Sequence, residues 1–136
     1  VITNMANLAL VDKAAVPVTH QYTPAPSANG LARWADKEHN GGIAIGYALI
    51  SFRIKEPVNG NGLFRHTIDF TFPKVDSTVP ARPVLIGIAR AKVEFTFPDI
   101  LNDQERKDIV RMVHSALAQD SASTLGDNIA MQAQPY

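Results

Sequence analysis

Between Tyr47 and Glu94 the chain carries three runs of side chains able to do polar chemistry, set at alternate positions. Tyr47, Ser51, Arg53 and Lys55 come first, then Arg65, Thr67 and Asp69, then Arg90, Lys92 and Glu94. Five cations in this set face two carboxylates, in a chain whose thirteen basic and thirteen acidic side chains cancel overall. A guanidinium can fork onto a phosphate, a hydroxyl can bond a sugar or a base edge, and a tyrosine ring can stack on a base. Together they suit looped RNA better than a smooth duplex. The plainer reading is a solvated sheet face, which composition alone favours.

Other chemistry finds less support. Asp69 and Glu94 could serve as an acid and base pair only if their strands were neighbours, and so cationic a setting offers no proton donor. His66 has the phase of the apolar residues around it and reads as a core or helix-covered histidine. His20, His39 and His114 are scattered without metal-ligand spacing. There is no Gly-x-Ser-x-Gly, no His-Glu-x-x-His and no phosphate-binding glycine loop. An enzyme is not expected, nor a cofactor or metal. The absence of cysteine removes disulfides and thiolate chemistry and fits a reducing cytoplasm. The start of the chain has no basic segment leading an apolar one, and no stretch approaches the roughly 18 apolar residues of a membrane span, so a soluble, unexported protein without a membrane partner is expected.

The elements that position these side chains follow from periodicity. The 136 residues are read as a single domain, 1–136. Leu8 to Val11 and Val16 to Tyr22 are short extended stretches, and Pro17 assigns the second to a sheet edge. Thr23 to Gly30 is a turn-rich connector before Leu31 to Trp34. From Ile43 to Ile54 the small or apolar Ala44, Gly46, Ala48, Ile50, Phe52 and Ile54 alternate with the set that holds Tyr47 and Arg53, which predicts one strand. Two Asn-Gly pairs, Asn59-Gly60 and Asn61-Gly62, mark a hairpin turn. Phe64, His66, Ile68, Phe70 and Phe72 then alternate with Arg65, Thr67, Asp69 and Thr71. A third strand sets Ala89, Ala91, Val93, Phe95 and Phe97 against Arg90, Lys92, Glu94 and Thr96.

After Pro98 the period changes to that of a helix. Asp99, Asn102 or Asp103 can cap it, and Ile109, Val110, Val113, Ala116 and Leu117 share one face through about Ala118. A short second helix over Leu125 to Met131 is possible. One helix is about 10 Å across with its side chains, whereas four or five strands spaced about 4.8 Å apart are nearly twice as wide. A second subunit must supply the missing cover. A dimer with each C-terminal helix over the partner's sheet, and edge strands paired across the two-fold axis, meets that need.

In this setting the chain resembles the coat proteins of the levivirus-type RNA bacteriophages over nearly its whole length. The resemblance is carried by Leu10-Val11-Asp12, the run Pro26-Ser27-Ala28-Asn29-Gly30-Leu31-Ala32-Arg33-Trp34, and Ser51-Phe52-Arg53. It continues through His66-Thr67-Ile68, Pro73-Lys74-Val75, Glu94-Phe95-Thr96-Phe97-Pro98, the helix that follows, and Tyr136. No single piece is a strong motif; their order and spacing carry the likeness.

The resemblance implies an α+β fold: an N-terminal β-hairpin plus a five-stranded antiparallel sheet with two C-terminal helices, in an intertwined homodimer. It implies a structural capsid subunit whose dimers form an icosahedral shell, located in the virion and assembled in the bacterial host cytoplasm. The partners are further copies of the chain and viral single-stranded RNA, including an operator hairpin whose binding represses translation. Carried over position by position, the family's RNA contacts fall on Tyr47, Leu49, Ser51, Arg53, Arg65, Thr67, Asp69, Arg90, Lys92 and Glu94, with Leu31 at the edge of the base pocket, and the phase of the same face adds Lys55 as an RNA-binding candidate. Leu49 and Asp69 replace a hydroxyl and a lysine of the compared relative, so a different RNA hairpin, or mainly nonspecific binding, is expected. The loop Asp76, Ser77, Thr78, Val79, Pro80, Ala81, Arg82 and Pro83 corresponds to the family's assembly loop, and Ile109, Val113 and Leu117 belong to the dimer core. The competing expectation is a small dimeric cytoplasmic regulator that binds RNA or a ligand and forms no shell.

Overall fold

The computed structural model describes residues 6–25, 31–57, 62–119 and 125–134. Six strands follow one another in chain order and in space: β1 (Leu8–Val11), β2 (Thr19–Ala25), β3 (Ala32–Asp36), β4 (Ala48–Lys55), β5 (Leu63–Asp76) and β6 (Val84–Pro98). Two helices close the chain, α1 (Asp103–Leu117) and α2 (Leu125–Met131). Two compact units divide at the end of β6, residues 1–96 and residues 97–136.

The hairpin and the five-stranded sheet share a strand, so the count is six rather than seven. Thr19 to Tyr22 of β2 pair with β1, and Thr23 to Ala25 pair with β3. The edge position expected from Pro17 needs correcting, because β2 lies between two strands and starts two residues beyond that proline. Pro24 sits inside β2 instead, opposite Trp34. Each half of β2 is paired on one side only, which leaves room for a residue with no N–H to donate.

The strand expected from Ile43 starts only at Ala48. Ala44 to Gly46 form a 3-10 turn, preceded by another at His39 to Gly42. Asn40, in the left-handed region at φ 54°, donates from Nδ2 to the carbonyls of Gly46 at 2.9 Å and Pro73 at 2.8 Å, which ties this turn to β5. A Cβ on Gly46 would lie 2.8 Å from the Asn40 Cβ and 2.9 Å from a Val75 methyl. Only glycine fits that approach. Gly46, which imitates a strand's alternation, is therefore there for close packing.

The core of the first unit lies on the even-numbered face. Tyr22, Trp34, Ala48 and Ile50 are buried, with Leu8, Ala32, Phe52, Ile68 and Phe70 packed against them. Cross-strand pairs Ile50 with Phe70, Phe52 with Ile68 and Ile54 with His66 build this face. His66 has the apolar phase read from the sequence, its ring stacked on Phe52 with centroids 6.4 Å apart. The hairpin is fastened to the sheet by polar bonds. Trp34 Nε1 donates to the Ala6 carbonyl at 2.9 Å, and His20 bridges Asp12 at 2.7 Å and the buried Asp36 at 3.2 Å.

In the second unit Asn102 is the cap. Its side chain accepts from the Glu105 N–H, and the Glu105 carboxylate accepts from the Asn102 N–H, both at 2.9 Å. Asp103 and Lys107 form an i,i+4 ion pair at 2.6 Å. The second helix spans the residues read from the sequence. No residue of α1 is buried: Ile109 and Val113 are half-buried, and Leu117 is 43% exposed. Of the segments that carried sequence expectations, Pro26 to Gly30, Asn59-Gly60-Asn61 and Tyr136 lie outside the described residues.

Candidate nucleic-acid interface

The β4 and β5 register places the odd-numbered side chains of both strands on one face. Leu49 stands opposite Thr71, Ser51 opposite Asp69, Arg53 opposite Thr67 and Lys55 opposite Arg65. Because side chains alternate across a pleated strand, a register slip of one residue would send all of these to the apolar side. The hydrophobic pairing of Ile50, Phe52, Phe70 and Ile68 on the reverse face prevents it. From β6, Glu94 joins the same group through ion pairs to Arg65 Nε at 3.2 Å and to Lys92 Nζ at 3.9 Å.

Arg53, Lys55, Arg65, Asp69, Arg90, Lys92 and Glu94 are exposed, whereas Leu49, Ser51 and Thr67 are half-buried. The charged groups thus stand above a partly covered floor of short side chains. Such a surface can neutralise phosphates with its long cations while the hydroxyls meet sugars and bases that come close. Tyr47 lies just before β4, directly after the Asn40-anchored turn, and is half-buried. Leu31 is half-buried immediately before β3. Among the described residues, Arg53, Lys55, Arg90 and Asp69 form no ion pair.

Sequence reasoning missed the contribution of β3. Arg33 stands opposite Ser51 and Ala35 opposite Leu49, so β3 continues the odd-numbered face of β4. Thr71, opposite Leu49, belongs to it as well. A five-residue strand is too short for alternation to reveal its faces, and only Arg33's position next to the buried Trp34 hinted at its phase.

The remaining candidates lie elsewhere. Asp76 is the last residue of β5, and its carboxylate accepts from the Thr78 N–H at 3.0 Å, which holds its pKa below the ordinary carboxylate value. The loop onward to Pro83 is turned by an Arg82 N–H to Val79 carbonyl bond of 2.9 Å. Ile109, Val113 and Leu117 recur along one side of α1. At the start of β6, Val84, Leu85, Ile86 and Ile88 are all exposed, so both faces of that half-strand carry uncovered apolar side chains.

A family model described as levivirus coat protein matches residues 3–136. Among solved structures the chain is similar to the virus-like particle of bacteriophage NT-214, at 23% identity and a TM-score of 0.82 over 98% of this chain and 100% of that one. It is similar also to the capsid protein of bacteriophage GA, at 17% identity and a TM-score of 0.76 over 96% of each chain. A third similar structure, at 17% identity and a TM-score of 0.68 over 97% of this chain and 98% of that one, is described as an unassembled virus coat protein dimer and a bacteriophage RNA-binding dimer. No curated protein matches the chain by sequence.

Proposed function

This chain belongs to the levivirus coat protein family and is a capsid subunit, and on that footing we propose that its dimers close into an icosahedral shell and hold viral single-stranded RNA on the polar face of the sheet. The two units work as one coat-protein domain over 1–136. In the dimer, α1 of each subunit covers the partner's sheet through Ile109, Val113 and Leu117. Support comes from the exposure of Leu117 and of Val84, Leu85, Ile86 and Ile88, apolar side chains that a lone subunit leaves in water.

The single observation that carries the RNA reading is the pairing of Lys55 with Arg65, on a face that adds Arg53, Arg90 and Lys92 in a chain of zero net charge. Like charges directly opposite one another destabilise a sheet. An anion that comes and goes gives the arrangement a purpose. Arg53, Lys55, Arg65, Arg90 and Lys92 neutralise phosphates, Ser51 and Thr67 bond sugars or bases, and Tyr47 stacks, with Leu31 and Leu49 packing at the margins of the base site. Asp69 and Glu94 repel phosphate locally and so restrict which RNA conformations fit. Binding of an operator hairpin here would repress translation in the host cytoplasm before the subunit is committed to the virion. The loop Asp76 to Pro83 serves contacts between dimers.

Size-exclusion chromatography and negative-stain microscopy of the expressed full chain test the shell. Closed particles containing RNA are expected, together with dimers and few particles when the loop is shortened. A dimer that binds RNA and never forms particles would instead fit a cytoplasmic regulator.

A further inference from the structure

We infer that Arg33 is a phosphate-contacting residue that widens the RNA interface by one strand, onto β3. The inference rests on the RNA reading above and adds a residue to it. Arg33 stands opposite Ser51, and Ser51 opposite Asp69, so the three occupy one line across β3, β4 and β5. On its other side Arg33 stands opposite Ala25 of β2, and Ala35 is the next residue of β3 on the same face. These neighbours are short and uncharged, so the strands beside Arg33 offer its guanidinium no ion-pair partner.

The carboxylate nearest along that line, Asp69, is two strand spacings away, about 10 Å at the backbone. Arg33 forms no ion pair among the described residues. Arg53, by contrast, is its diagonal neighbour on β4, at the roughly 7–8 Å expected of such positions. Two unpaired cations therefore stand side by side on one face. Arg33 is half-buried, so its stem lies along the sheet and gives up less freedom than a fully exposed arginine when its head is captured. The backbone that carries it is held by the buried Trp34, Ala35 and Asp36. The position is rigid, cationic and unused by the fold, which is what a phosphate contact needs.

The test measures binding of a single-stranded oligouridylate to the purified full chain over a range of sodium chloride concentrations, with Arg33→Ala, Arg33→Gln and Arg33→Lys beside Arg53→Ala. Particle yield and thermal melting report folding, and Arg33→Gln keeps the stem if the alanine variant folds poorly. Each phosphate contact on a single strand contributes about 0.7 to the log-log salt slope. Arg33→Ala and Arg33→Gln are each expected to flatten the slope by about that step, and Arg33→Lys to retain it. A purely structural Arg33 would change melting and leave the slope alone. An unchanged slope in Arg33→Gln, with Arg53→Ala flattened, would overturn the role of Arg33 and leave the RNA face standing. Unchanged slopes in both would overturn the RNA reading and this inference with it.

Discussion

Lys55 and Arg65 face each other directly across β4 and β5 on the exposed side of the sheet. A carboxylate on either strand would stabilise that position. Two cations there weaken the pairing by roughly 0.2–1 kcal/mol, with Glu94 beside Arg65 offsetting part of it. Lys55→Ala is expected to raise the melting temperature slightly while lowering affinity for RNA and flattening its salt dependence. Paired melting and binding measurements check this. A variant that binds RNA normally would show that the like-charge pair has no part in binding.

Glu94 holds Arg65 at 3.2 Å and Lys92 at 3.9 Å, so a phosphate must compete with it for both cations. The Glu94→Gln variant is expected to bind nonspecific RNA several-fold more tightly, most visibly at low salt where exposed charges are least screened. Fluorescence anisotropy with labelled RNA reads the change. Weaker binding would mean that the carboxylate orients the cations for RNA, not that it competes with the RNA.

The Asp12 and His20 contact at 2.7 Å predicts a stability window in pH. Hydrogen bonds from the Val18 N–H, from His20 and from the Ala14 N–H lower the Asp12 pKa from 3.8 to about 2. Its contribution is present above the ordinary value and disappears as pH falls toward about 2. The bond to Asp12 raises the His20 pKa above its ordinary 6.5, with Asp36 adding to the effect. That contribution is complete below 6.5 and disappears as pH rises through the raised value. Melting temperature is therefore expected to be highest between these limits and to fall on the alkaline side. In His20→Asn the alkaline fall should be absent, and an identical profile in the variant would remove His20 as its cause.

Val113 and Leu117 discriminate between a lone subunit and an interlocked dimer. In the isolated chain Leu117 is 43% exposed, so aspartate there would be tolerated. In a dimer whose helices cover the partner's sheets, the same carboxylate is buried without a partner, at a cost of several kcal/mol. Val113→Asp and Leu117→Asp are expected to abolish folding and dimerisation together, as read by circular dichroism and sedimentation. A folded, soluble monomer would contradict the shared core.

The alternating residues of β4, β5 and β6 were legible because one face must be apolar and the other wet, and the register then brought Ser51, Arg53, Arg65, Thr67 and Asp69 to one side. Both helices were legible for the same reason, and Asn102 was among the three candidate caps. Local pattern failed where a single small residue serves packing. Ala44 and Gly46 imitate a strand, yet Gly46 is small because Asn40 and Val75 crowd it. Pro17 was read as an edge signal, but the proline inside β2 is Pro24, which falls in a segment that composition marks as a connector. Arg33 escaped notice because which strand stands next to β3 is a fact of topology that five residues cannot encode.

The most direct test of the RNA face compares salt slopes for viral RNA between Arg53→Ala and Arg90→Ala on the sheet and Arg106→Ala and Arg111→Ala on α1. Arg53 and Arg90 form no ion pair among the described residues, whereas Arg106 donates to the Leu101 carbonyl at 2.8 Å and lies 3.9 Å from Asp103. Each sheet variant is expected to flatten the slope by roughly 0.7–0.9 for every phosphate it no longer neutralises, and the helix variants to leave it unchanged. If the helix variants weakened binding as much as the sheet variants, the RNA would engage the helix as well as the sheet, and the interface drawn across β3 to β6 would be wrong.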